Sequence, residues 1–278
     1  MADKFDKPRT GTGTKEWAEV TENICRGCAN NCLYCYAAHN ANRFKLRNRE
    51  QWAREELTKR ASITSYPARD GVVMFPSSHD ITLFNLNAYL RVARLILEKG
   101  NSLLIVSKPR RECIWSLLSE LHEYKEQILF RFTIGTVHEN LSRFWEPGAP
   151  LPMERISCLA MACGEGFATS VSIEPMLGGS KGAMSVVEVV REYVTETIWI
   201  GKMNKARLRV DMRVPENAAA VERIEAMQDD REIVKLYMAY RNDPSIRWKD
   251  SIKEVVARWQ GEVEKFSGLD AERIAALR

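Results

Sequence analysis

The sequence predicts an α/β fold built on a parallel sheet, open or barrel-like, with a helical C-terminal extension. Three observations predict it. Short apolar runs rich in Val, Ile, Phe and Thr recur six times before residue 201. Segments with a helical apolar period separate them. Beyond about residue 205 only the helical pattern remains. Strand–helix alternation of this kind is the signature of a parallel sheet.

Residues 1–18 are polar, carry Gly, Thr and Lys, and show no apolar period; they read as a flexible lead. The strand candidates are 18–24, 71–75, 102–106, 129–134, 168–173 and 197–200, short and apolar as buried parallel strands are. The clearest helix is 86–98, with apolar residues at i, i+3, i+4 and i+7 and a stop at Gly100. Residues 110–124, 153–163 and 183–192 follow the same rule. Residues 214–241, 248–266 and 269–278 read as amphipathic helices packed on the sheet. The expected organisation is therefore a lead (1–18), a sheet domain (19–204) and a helical extension (205–278).

The bulk composition narrows the class. The chain has 278 residues, 45% hydrophobic and 28% charged, as soluble globular proteins do. No apolar run approaches the ~20 residues that span a bilayer, so no membrane association is expected. The N-terminus has no apolar core of a secretory signal, and a cytoplasmic location follows as an expectation. The formal net charge of +4 is compatible with a nucleic-acid or phosphorylated partner.

Seven cysteines is an odd number, and four of them, Cys25, Cys28, Cys32 and Cys35, fall in "NICRGCANNCLYCYA". Clustering suits a metal site in a reducing compartment better than a disulfide framework. Thiolates bind zinc or iron–sulfur clusters. A structural zinc site usually separates its two C-x-x-C knuckles by a dozen or more residues, and here only three intervene. A bacterial ferredoxin run has different spacing and a proline after its last cysteine.

Without Cys25, the remainder is Cys28-x3-Cys32-x2-Cys35 with Tyr34 before the last thiol. This pattern after a first strand resembles the radical S-adenosylmethionine (SAM) superfamily. "GCANNCLYCYAAHNANRF" further resembles its spore photoproduct lyase-like branch. "SSHDIT", "IVSKP", "RFTIGT", "FWEPGAPLPMERI" and "VSIEPM" follow that branch's order. The likeness covers about residues 16–202. It implies a partial (β/α)6 TIM-like barrel and a [4Fe–4S] cluster held by three cysteines, with one iron left open for SAM. It also implies a one-electron donor of flavodoxin or ferredoxin type, reductive cleavage of SAM, and hydrogen abstraction by the resulting 5′-deoxyadenosyl radical.

The resemblance assigns residues. Cys28, Cys32 and Cys35 would be the cluster ligands, and Tyr34 would lie near the adenine. Ser77, Ser78, His79 and Asp80 would sit by the SAM amino group, with His79 the histidine chosen as a catalytic candidate. Lys108, also a catalytic candidate, and Thr133 match positions that hold the SAM carboxylate and ribose region. Glu174 would face the same site. The lyase carries a hydrogen-donating cysteine where this chain has Ser77 or Ser78, which separates it from the lyase's own route of thymine-dimer reversal.

Other residues read more plainly. Cys25 is expected to be a small strand-end residue or accessory thiol. Cys113, Cys158 and Cys163 read as small buried hydrophobes, and His39 as a hydrogen-bonding residue. Trp115, Trp145, Trp199 and Trp248 read as core or interface residues. The basic run at 202–213 holds Lys205, Arg207 and Arg209 near the barrel mouth; a solvated face is the default reading of such a run, and following phosphates is the alternative. The expected function is radical SAM chemistry on an unidentified substrate, with modification or repair of a nucleic acid as the first hypothesis. One alternative is a small-molecule substrate with cleavage of another sulfonium bond. The alternative of another class is a zinc-stabilised, non-catalytic nucleic-acid-binding protein.

Overall fold

The computed structural model describes residues 2–5, 7, 9, 11–259 and 261. After the short helix α1 (Ala2–Phe5), strand β1 (Val20–Thr21) opens the main sheet. A two-stranded hairpin, β2 (Cys25–Arg26) and β3 (Glu56–Leu57), brackets helices α2 (Tyr36–Arg43) and α3 (Arg49–Trp52). Strand–helix units follow: β4 (Val72–Met74), α4 (Leu86–Leu97), β5 (Ser102–Ser107), α5 (Arg111–Glu120) and β6 (Ile128–Thr133). Helices α6 (Glu139–Trp145) and α7 (Pro152–Gly164) lead to β7 (Ala168–Ile173), α8 (Gly179–Val190) and β8 (Ile198–Ile200). The chain closes with α9 (Ala206–Arg209), α10 (Pro215–Met227), α11 (Asp230–Tyr240), β9 (Ile246–Trp248) and α12 (Asp250–Arg258).

The seven-stranded sheet runs β1-β4-β5-β6-β7-β8-β9, and every pair in it is parallel. Strands added in one direction with right-handed crossovers place their helices on one face and curl the sheet. The result is a partial barrel whose concave face is left for a site.

Alternation along the strands builds the two faces. Phe130 and Phe132 of β6, Leu103 and Ile105 of β5, and Val171 and Ile173 of β7 pack with the helices in one core. Each fully buried phenylalanine contributes about 2–3 kcal/mol. The intervening residues turn inward. Leu104, Leu129 and Trp199 form a smaller apolar floor, while Arg131, Ser170 and Ser172 place buried polar groups beside it. The Arg131 guanidinium lies between Trp17 and Trp199, 4.9 and 5.2 Å from their ring centroids.

The six expected strands are all present. The region after residue 205 differs, because it contains a seventh sheet strand. Ile246 pairs with Ile198 and Trp248 with Ile200, so Trp248 is extended and helix α12 starts only at Asp250. A branched, aromatic triplet satisfies the open edge of β8, and tertiary pairing overrides the helical pattern. The single helix expected over 214–241 is broken at Gln228, and Asp229 caps α11 by accepting from the Glu232 amide at 2.9 Å. The helix expected at 269–278 lies outside the described residues, as does most of 248–266 beyond α12.

The lead is held at its distal end. Residues Gly13–Glu16 form a 3-10 helix, and Trp17 is buried edge-on against Trp199 at 5.9 Å. Lys249, after the last strand, donates to the Gly13 carbonyl at 3.0 Å and pairs with Glu16 at 2.6 Å.

Candidate functional site

The cysteine loop leaves the β2–β3 hairpin through Gly27, whose φ of +95° suits glycine, and whose added Cβ would sit 2.2 Å from the Arg54 carbonyl oxygen. The Cys28 amide donates to the Trp52 carbonyl at 2.8 Å. Cys35 caps α2, its sulfur accepting from the Ala38 amide at 3.4 Å. The Arg49 guanidinium ties down the carbonyls of Asn31 and Cys32. From the other side, the Leu33 amide donates to the Trp145 carbonyl at 2.8 Å and the Gly148 amide to the Asn30 carbonyl at 3.1 Å. A Cβ on Gly148 would meet the Ala29 carbonyl oxygen at 2.1 Å. Arg110 clamps both strands of this contact, donating to Asn30 Oδ1 at 2.9 Å and the Gly148 carbonyl at 2.6 Å.

This wrapping places Cys28, Cys32 and Cys35 on the wall of one cavity of about 480 Å³. Cys25 is buried in the hairpin opposite Leu57 and is not on that wall. Burial, then Glu55, pushes its thiol up to about 11. Burial also raises Cys28 well above the ordinary thiol range and takes Cys32 to about 12. Cys35 adds to both shifts, whereas Lys108 pulls Cys32 down. Among the described residues no group of three or more His, Cys, Asp or Glu converges on one ion. Cys28, Cys32 and Cys35 would be the thiolates to hold an iron–sulfur cluster there, since all three line the same wall.

Beside the thiols lies a buried charged network. Tyr34 hydroxyl donates to the Glu146 carboxylate. Lys108 Nζ stands 3.7 Å from Glu146 Oε1 and 5.7 Å from the Tyr34 ring centroid. Arg155 pairs with Glu146 Oε2 at 2.5 Å and donates to the Pro150 and Thr133 carbonyls at 2.7 and 3.2 Å. Burial pushes the Glu146 carboxyl up, but Arg155 and Lys108 outweigh it and hold the group below the usual carboxylate range. Burial pushes Lys108 down, and Cys32, Glu146 and Asp80 outweigh it, so its ammonium is held more firmly than usual.

The residues expected around SAM all line the cavity, but several already have partners. Asp80 Oδ1 accepts from the Ile81 amide at 2.8 Å and from Ser107 Oγ at 2.5 Å. Its Oδ2 accepts from Asn30 at 2.7 Å and the Lys108 amide at 2.9 Å. Asp80 thus staples the cysteine loop to the end of β5. His79 accepts from the Ile24 amide at Nε2 (3.2 Å), and its Nδ1 donates to the Asp80 carbonyl at 2.9 Å. Both ring nitrogens are used, and burial depresses its pKa, so the imidazole chosen as a catalytic candidate is a neutral tie. Ser77 and Ser78 are shaped by Asn23, whose Oδ1 accepts both amides at 2.9 and 2.8 Å. Thr133 is buried on the wall, and Ser172 next to it on β7 has a buried hydroxyl without a partner among the described residues. Glu174 is 3.5 Å from Lys249; burial raises its carboxyl against that pairing.

Sequence reasoning missed Glu146, Arg155, Asn23 and Lys249. Glu146 and Arg155 sit inside the quoted "FWEPGAPLPMERI", whose charged residues bracket a Pro/Gly turn. Cys113 and Cys158 are buried as expected, and Cys163 is half-buried. Trp145 and Trp199 are core residues, while Trp115 is exposed.

No family model matches the chain. It is similar to the uncharacterized protein ORF301 of Acidianus two-tailed virus, 28% identical over 194 residues, which are 64% of this chain and 63% of that protein. Less than two thirds of that relative's length is therefore spanned. Among solved structures, spore photoproduct lyase complexed with dinucleoside spore photoproduct matches with a TM-score of 0.55 at 14% identity, over 87% of this chain and 79% of the lyase. A double mutant of the lyase with bound AdoMet and the same dinucleoside matches at 0.52 and 13%, over 84% and 76%. Streptococcus suis SuiB bound to S-adenosylmethionine matches at 0.43 and 10%, over 64% of this chain and 39% of SuiB. The lyase likeness establishes the fold, a partial TIM-type barrel with helices on its outer face. No helix among the described residues is long and apolar enough to cross a membrane.

Proposed function

We propose that this chain is a radical SAM enzyme, in which Cys28, Cys32 and Cys35 hold a [4Fe–4S] cluster and the cavity beside them binds SAM. The observation that carries the proposal is the placement of those three thiols, without Cys25, on one cavity wall. The cavity opens at the C-terminal ends of the parallel strands, where such barrels carry their chemistry. When bound, the cluster and SAM would supply a one-electron reductive cleavage of the sulfonium.

The protein's part is binding, orientation and exclusion of water. Lys108 offers a firmly charged ammonium to a carboxylate, steadied by Glu146. Ser77, Ser78 and Thr133 offer hydroxyls on the same lining. Asp80 and His79 set the shape of the loop rather than reaching for a ligand. Tyr34 packs in one apolar cluster with Cys32 and Cys35, its hydroxyl anchored on Glu146. The electron would come from a flavodoxin- or ferredoxin-type donor.

Nucleic acid is the substrate class to examine first. The lyase that shares this fold was captured with a dinucleoside, and this chain is mildly basic at +4. Product analysis of the reduced, reconstituted protein tests the reaction. Release of 5′-deoxyadenosine supports the proposal, methylthioadenosine points to cleavage of another sulfonium bond, and no SAM turnover contradicts it. A gel shift without retardation of DNA or RNA would remove the nucleic-acid version.

A further inference from the structure

The cavity has a second polar wall that the cysteines and the candidate SAM residues leave unexplained. Beyond β8 the chain runs through Lys202, Met203 and Asn204 into α9, and Arg209, the last residue of α9, lines the cavity. Arg209 is half-buried. Among the described residues its guanidinium has no carboxylate within ion-pair distance and donates no hydrogen bond. The ring of Tyr36 lies 6.0 Å from it, and Tyr36 is itself fixed by a 2.5 Å hydrogen bond to the Ser77 carbonyl. Neighbouring arginines in the same stretch do find acids. Arg207 pairs with Glu225 and Arg213 with Asp211, both at 2.7 Å. Lys202, also on the cavity lining, has its acid, Asp230, only at 4.0 Å. Glu174, the cavity acid that acts on Arg209, is paired with Lys249.

A cation removed from part of its water without an acceptor is costly, and a guanidinium is shaped to meet an oxyanion through two parallel bonds. We propose that Arg209, with Lys202 in support, is the substrate-anion site of this cavity: it takes a phosphate or carboxylate oxyanion carried by the substrate. The site deepens the radical SAM proposal, since it is the substrate rather than SAM that Arg209 holds. A phosphodiester and a free phosphate or carboxylate share this chemistry, and the probes below separate them.

Binding of three probes to the reconstituted, SAM-loaded protein tests the site: inorganic pyrophosphate, citrate, and a fluorescein-labelled single-stranded hexanucleotide. At least one is expected to bind with an affinity that falls as salt rises. Arg209→Gln is expected to weaken that binding about tenfold or more, a loss of about 1.4 kcal/mol. Lys202→Gln should weaken it less. Arg213→Gln, exposed and outside the cavity, should leave it unchanged, which separates a site from general positive charge. The probe that binds identifies the source of the oxyanion. Equal affinity in wild type and Arg209→Gln, or no binding of any probe, overturns the proposal. So does an Arg209→Gln protein that keeps probe binding but loses SAM affinity or iron, since Arg209 would then serve SAM or the Cys35 side of the cluster. Protein that carries no iron but shows Arg209-dependent pyrophosphate binding would sink the radical SAM reading and leave the anion site standing.

Discussion

Glu146 and Arg155 stand 2.5 Å apart with both side chains no more than 1% exposed. The pair links the loop that braces the cysteines to α7 on the outer face of the barrel. Its carboxylate also receives Tyr34 and faces Lys108, so one buried anion organises a ring and two cations next to the thiols.

Glu146→Ala should therefore be among the most damaging single changes. It leaves Arg155 and Lys108 buried without their anion, at a cost of about 3–5 kcal/mol. Denaturant unfolding of the reconstituted protein measures this. Glu146→Gln, which keeps an acceptor, should lose less, and an alanine variant as stable as wild type would refute the role.

The cysteines should divide three to one. Cys28→Ala, Cys32→Ala and Cys35→Ala should each lose the cluster's visible absorption and most of the iron. Cys25→Ala should keep both, because Cys25 is buried in the β2–β3 hairpin away from the cavity wall. Loss of iron from the Cys25 variant alone would overturn this ligand assignment.

His79 sets a pH limb. Its folded pKa lies below the ordinary 6.5 because burial disfavours the charged ring. Below that value the unfolded chain takes up a proton that the folded chain resists, so stability falls as pH drops from about 6.5 toward the folded pKa. Stability measured from pH 7.5 to 5 should show this loss, and His79→Gln should flatten it while retaining SAM cleavage.

Gly148→Ala tests the brace itself. The new methyl must displace the Ala29 carbonyl, 2.1 Å from the ideal Cβ position. A cost of about 1–3 kcal/mol is expected, together with faster loss of iron to a chelator. Unchanged iron retention would show that the brace does not hold the cysteine loop.

The sheet was legible because strands β4 to β8 are largely buried on both faces and read as short runs rich in branched and aromatic residues. Strand β9 was not, because Ile246, Arg247 and Trp248 form a triplet next to a helix, and only the open edge of β8 makes them extended. The cysteine triplet was legible through the family resemblance that its C-x3-C-x2-C spacing and the following motifs carry. The place of Glu146 beside the thiols was not, since its contact with Tyr34 spans 112 residues of sequence and no local period marks so distant a partner. Asp80 and His79 line the cavity, but residue type could not tell that their polar atoms are taken by Ser107, Asn30 and Ile24.

Metal and sulfide content of the anaerobically reconstituted wild-type protein tests the central claim most directly. The account predicts about four irons and four acid-labile sulfides per chain. A colourless protein holding one zinc per chain, with no iron after reconstitution, would contradict it.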